Sequence, residues 1–223
     1  DAPGGLTVTR SCTAFAPQLR SVSTRTGTAS TLSVPLPAGV VAGDVIVAVV
    51  VHSTMGTPPV ALAGDAWTVS LSGPQGVGGS SFLGSKVASI AEPAAYTFTG
   101  LTAGSATGAV VLAYSGGSWN YPSHSIYNGT GSTVVAAGGT VPEQTRLLTA
   151  FFADDYAGTV SVPAGTTVRA QVVTGGLVAA VGQFNPDVAD PAFTSVEQFA
   201  RDMTDGKLDG LVITALGEVE THD

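Results

Sequence analysis

Apolar residues run through this chain in short, regularly spaced stretches, and clusters of Gly, Pro, Ser and Asp separate them. The pattern predicts strands near residues 21–26, 31–35, 44–52, 66–71, 80–90, 95–99, 108–114, 133–136, 146–153, 159–162, 167–174, 177–184, 192–199 and 210–216. Many short strands with turn signals between them indicate a sandwich or a barrel. One segment, "SVEQFARDM" at 195–203, also has helix-like spacing, and strand and helix both stay open there. The run "VIVAVVV" at 45–51 is too short to span a membrane and too β-branched for a comfortable helix. Such a run fits a strand covered on both faces. One cover is the core. The other has to come from loops, an arm or a neighbouring subunit.

The pattern repeats. Residues 30–51, "STLSVPLPAGVVAGDVIVAVVV", lie over 132–153, "STVVAAGGTVPEQTRLLTAFFA", without a gap. Three further matches follow in the same order: 61–71 with 161–171, 91–99 with 189–197, and 108–116 with 210–218. Each is displaced by about one hundred residues. The expected architecture is therefore all-β, a jelly-roll-like two-sheet β-sandwich built from two similar halves. The first half spans 21–116 and the second 132–218, within one domain of residues 21–223 that ends in a short tail at 219–223. Residues 1–20 read as an N-terminal arm lying over the body or reaching a neighbour. The connector 117–131 holds Trp119, Tyr121, Ile126 and Tyr127, more aromatic character than a free linker usually carries.

Composition strengthens the all-β reading. Charged residues make up 11% of the 223, against a typical share of about 25%. Helix formers are scarce and β-branched residues abound. The net charge of −8 and the scattered arginines argue against a nucleic-acid partner, which needs clustered Lys and Arg, and against anionic membrane surfaces. A single cysteine, Cys12, excludes an intramolecular disulfide. The opening "DAPGGLTVTR" has neither the basic nor the apolar region of a signal peptide, and without an initiator Met it reads as a processed or partial N-terminus.

Candidate chemistry is sparse. His52, His124 and His222 lack metal-ligand spacing and read as isolated histidines. Asp187, Asp190, Asp202, Asp205 and Asp209 gather near the C-terminus, but "DMTDGKLDG" at 202–210 departs from the EF-hand pattern and reads as solvated turns. Asp154 and Asp155 read as a turn at a strand end. Glu92 precedes Pro93 in a turn. Cys12 has no nearby histidine to activate it, and no Gly-x-Ser-x-Gly elbow occurs. "GPQGVGG" at 73–79 lacks the lysine and the strand-to-helix context of a phosphate loop and reads as a hairpin tip. Aromatic faces stack on sugar rings, so Trp119, Tyr121 and Tyr127 are the candidate glycan or partner contacts, although packing of the connector on the sandwich is the commoner role. Trp67 reads as core. The expectation is of no enzyme, no metal and no cofactor.

Taken together, "STLSVPLPAGVVAGDVIVAVVV", "AGDAWTVSL", "AEPAAYTFTG", "AVVLAYSGG" and "PAGTTVRAQ" resemble a β-sandwich module of actinobacterial phage virion proteins and some bacterial surface proteins. The likeness covers most of residues 22–217. The Gly-Asp within "ALAGDAWT" departs from that family's turn. The resemblance implies a non-enzymatic structural or adhesive role on a phage tail or capsid. Its partners would be other virion proteins, copies of itself or a host-surface glycan, with no nucleic acid and no membrane insertion. The alternative is a carbohydrate-binding module that attaches a phage or a secreted enzyme to a cell surface.

Overall fold

The computed structural model describes residues 17–54, 58–61, 66–75, 79–115, 118–125, 129–130, 133–135, 146–154, 166–175, 177–184, 197–200 and 207–217. The regular elements among them are all strands. The first half contains β1 (Gln18–Gly27), β2 (Leu32–Pro35), β3 (Val45–His52), β4 (Val60–Ala61), β5 (Thr68–Gln75), β6 (Gly79–Val87), β7 (Ala95–Thr99) and β8 (Thr107–Ser115). The second contains β9 (Ser118–Ser125), β10 (Gly129–Thr130), β11 (Thr133–Val135), β12 (Arg146–Asp154), β13 (Thr166–Thr174), β14 (Leu177–Phe184), β15 (Glu197–Ala200) and β16 (Lys207–Gly217).

The expected duplication appears in the strand order. The first large sheet runs β1-β8-β3-β6-β5, and a small sheet runs β2-β7-β4. In the second half β9 and β10 pair with β16, which leads on to β12-β14-β13, while β11 pairs β15. Putting β9 for β1, β16 for β8, β12 for β3, β14 for β6 and β13 for β5 gives the same order. The segment read as a connector thus contains a full strand, β9, in the place β1 holds. At the other end of the first half, β1 takes up residues 18–20 of the expected arm. Residues 159–162 lie outside the described residues. In the ambiguous 195–203 segment, the described positions 197–200 are strand.

What covers the apolar run now has an answer. All eight positions of β3 are buried. Ile46, Ala48 and Val50 pack with Leu32 and Val34 of β2 and with Tyr96 and Phe98 of β7. Val45, Val47, Val49 and Val51 pack with Leu148 of β12, Val172 of β13 and Val181 of β14. The chain covers both faces itself, with its own small sheet on one side and its own second half on the other. The two large sheets form the sandwich. Burial follows the layering: β2 and β7 alternate buried and partly exposed positions, as strands with one solvent face do, whereas β3, β6 and β8 are buried almost throughout.

Pairing sharpens the repeat. The ungapped match of 30–51 over 132–153 places Ile46 on Leu148. Ile46 faces the small sheet, yet Leu148 faces the other half. The two strands are therefore one residue out of that match, which exchanges their faces. The match of 91–99 to 189–197 shifts too. Leu32 pairs Phe98 and Val134 pairs Phe199, so Phe98 corresponds to Phe199 rather than to Val196.

The longer outer strands of the large sheets, β1, β5, β13 and β9, each depart from regular pairing by an extra residue. The ladder shifts at Leu19/Ser21 in β1, at Val69/Leu71 in β5 and at Val168/Ala170 in β13. In β9 two residues, Tyr121 and Pro122, stand opposite Thr214. Bulges bend an exposed edge and hinder edge-to-edge pairing. A proline is tolerated in β9 for the same reason.

Candidate functional site

Three buried polar groups lie among the described residues of the first half, and each begins in local sequence. The first is the Gly-Asp step before β3. Gly43 has a positive φ of 89°, which glycine adopts without steric cost. The turn brings the Asp44 carboxylate onto the Val41 backbone N–H at 2.9 Å, and the Asp44 N–H donates to the Val41 carbonyl at 3.1 Å. Arg20, the extra residue of β1, closes a forked ion pair on Asp44, with Nε at 2.7 Å and a terminal nitrogen at 3.0 Å. Asp44 thus fixes the entry to β3 and ties it to the sheet's outer strand.

The second group is built around Glu92. Its carboxylate accepts the Ser89 backbone N–H at 2.7 Å, the Tyr96 hydroxyl at 2.7 Å and the Lys86 ammonium at 2.9 Å. Lys86 also lies 5.4 Å from the Tyr96 ring centre and 5.9 Å from that of Trp67, within cation–π range. Trp67 meets Tyr96 and Phe82 edge-on, at 5.1 and 6.1 Å between centres. Burial pushes the Glu92 carboxyl up, but its hydrogen bonds from Ser89, Tyr96 and Lys86 more than offset this and hold it at about 2. Glu92 is therefore ionised at neutral pH and has no proton to give as a general acid.

The third group is His52, which ends the apolar run and is 1% exposed. The Thr102 backbone N–H donates to its Nε2 at 3.0 Å. The proton therefore sits on Nδ1, which faces the Ala106 carbonyl at 3.2 Å and the Thr107 hydroxyl at 2.9 Å. Burial lowers the His52 pKa from its ordinary value and the bond to Ala106 partly opposes this, so the ring is neutral. Ser80 stands beside His52 in the ladder, and its hydroxyl is buried with no hydrogen-bond partner. With both ring nitrogens engaged and the ring sealed from solvent, His52 is not placed to serve as a base for Ser80.

The residues picked out from sequence are scattered. Trp67 is part of the aromatic cluster, as expected for core. Trp119 and Tyr121 lie on β9, with Trp119 opposite Leu216 and Tyr121 in the bulge. Tyr127, Cys12, Asp155, Asp187, Asp190, Asp202, Asp205 and His222 lie outside the described residues. His124 pairs Val212, and Asp154 pairs Lys207. Asp209 lies in β16. Of residues 73–79, read as a hairpin tip, 73–75 close β5 and 79 opens β6, Gln75 pairing Gly79, and 76–78 lie outside the described residues. Among the described residues no three His, Cys, Asp or Glu side chains converge as a metal site. The Lys86–Glu92 pair and the His52 contacts escaped sequence reading. Only the strand ladder brings Lys86 under Trp67, and fifty residues separate His52 from Thr102. No family model, curated protein or solved structure matches the chain.

Proposed function

We propose that the chain is a non-enzymatic structural component of a phage virion, in the tail or as a capsid decoration, that assembles through contacts between sandwiches. The observation that carries this reading is how its buried ionic chemistry is used. Asp44 and Arg20 fix a turn, Glu92 and Lys86 fix another, and His52 holds a loop. The resemblance of the repeated motifs to virion modules supports the same reading. So does the order β1-β8-β3-β6 against β2-β7-β4 in the first half, which is compatible with the jelly-roll-like connectivity expected from sequence. Capsid and lectin domains both use that architecture, so it supports the role by analogy of fold alone. The bulged outer strands direct assembly to sheet faces and loop ends rather than to strand addition.

Mass spectrometry and cryo-EM of purified particles from the source test the proposal. The chain should be present at a fixed stoichiometry. Its absence from particles, or hydrolysis of cell-wall polysaccharide by the pure protein, would overturn it. A second reading, attachment to a surface glycan, gains from the position of Trp119 and Tyr121 on an outer strand. Trp119→Ala with Tyr121→Ala should then abolish binding on a glycan array, and unchanged binding removes that patch.

A further inference from the structure

We propose that His52 is a pH-sensitive latch, holding the loop before β8 against β3 at neutral pH and releasing it, together with a contact to the second half, on acidification. The geometry of the loop carries this. Besides the His52 contacts, the Ser53 N–H donates to the Ala106 carbonyl at 2.9 Å, and the Thr54 hydroxyl donates to that of Ser105 at 2.7 Å. His52 therefore clamps the loop from both ends, Thr102 on Nε2 and Ala106 on Nδ1. The far side of the loop meets the second half. A Cβ at Gly175 would lie 2.8 Å from the Ala106 Cβ, and one at Gly108 would lie 2.9 Å from a Val172 methyl. Anything that shifts Ala106 must shift this close approach.

A second proton would go to Nε2, the atom that accepts from Thr102. Two N–H donors would then oppose each other, and a charge would sit in a site closed to water. Among the described residues no carboxylate lies near enough to relieve it: Asp44 stands at the other end of β3, on the order of 25 Å away, and Glu92 is held beside Lys86. Thr102, Ala106 and Thr107 face the ring from the loop and β8, Ser80 flanks it on β6, and none of these ionises. Lys86 lies six residues along β6, on the order of 20 Å away. Arg25 is exposed on β1, two strands over, in the row of Ala109 and Val50. Arg169 is on β13, which packs on the opposite face. Release is thus the available response to protonation.

Amide hydrogen exchange on the full chain from pH 7.5 to pH 4.5, corrected for intrinsic rates, tests this. Thr102 protection should fall by up to about tenfold per pH unit once His52 titrates. The Gly175 amide chemical shift, followed by NMR over the same range, should move with the same midpoint. His52→Gln supplies an acceptor and a donor without a titration, so its protection should stay flat. Flat protection in the parent chain, or an equal loss in His52→Gln, would overturn the latch. A change at Thr102 with none at Gly175 would overturn the coupling between halves. Should His52→Gln not fold, imidazole nitrogen shifts replace it: a His52 titration that leaves Thr102 protection unchanged would equally refute the proposal.

Discussion

Leu148→Ala probes whether the second half really covers β3. Leu148 is 1% exposed and belongs to the cluster with Val45, Val47, Val49, Val51, Leu112 and Tyr114. Truncation removes three side-chain carbons from a site where strands from both halves surround it. Buried Leu→Ala changes cost about 2–5 kcal/mol, the spread reflecting how far the site collapses. Were the second sheet's face open to water, the same change would fall within about 0.5 kcal/mol, as surface changes do. The two outcomes are separable. For a chain of this size each kcal/mol lowers the melting temperature by about 2–4 °C, so the expected fall is roughly 4–20 °C. Calorimetry and urea titration should both show it. Ile90→Ala serves as a control, since Ile90 is 95% exposed and should stay within about 0.5 kcal/mol. A Leu148→Ala protein as stable as that control would refute the covered-face reasoning.

Other consequences follow from the turns and the ion pair. Glu92→Gln leaves Lys86 uncompensated and should cost roughly 3 kcal/mol at pH 7 by chemical denaturation. Because the folded carboxyl titrates below its ordinary 4.5, the Glu92 contribution is present above that value and lost as pH falls toward about 2. The gap between parent and variant should narrow across that window, and parallel pH curves would contradict the assignment. Gly175→Ala imposes a side chain at φ +55° as well as the contact with Ala106, and should cost about 1–3 kcal/mol. Ala106→Gly should recover the steric part only, so a double-mutant cycle without coupling would disprove the contact.

How much was legible in the sequence depended on the strand. β7 and β14 lie where the pattern predicts them, and β3 within one residue, because burial on one or both faces writes itself into the residues. β9 was hidden. "SWNYPSHS" has a proline, polar residues and no alternation, as a bulged outer strand permits. Its one signal was position, since a repeat of about one hundred residues puts it where β1 stands. The one-residue slip between β3 and β12 could not be seen either, since runs of apolar residues match equally well in two registers. The apolar run alone suggests loops, an arm or another subunit as the cover of its second face, although the duplication already supplies one. The ion pair and the histidine contacts depend on ladder register and on a loop fifty residues away, which no local pattern encodes.

The most direct test of the account is a methyl NOE measurement across the two halves. Val172 should show cross-peaks to the Gly108 α-protons and to the Val51 methyls, since a Cβ at Gly108 would lie 2.9 Å from a Val172 methyl and 3.5 Å from a Val51 methyl. Finding them establishes that the chain's own second half closes the β3 sheet. Their absence, with Val172 methyls open to a soluble paramagnetic probe, would contradict it.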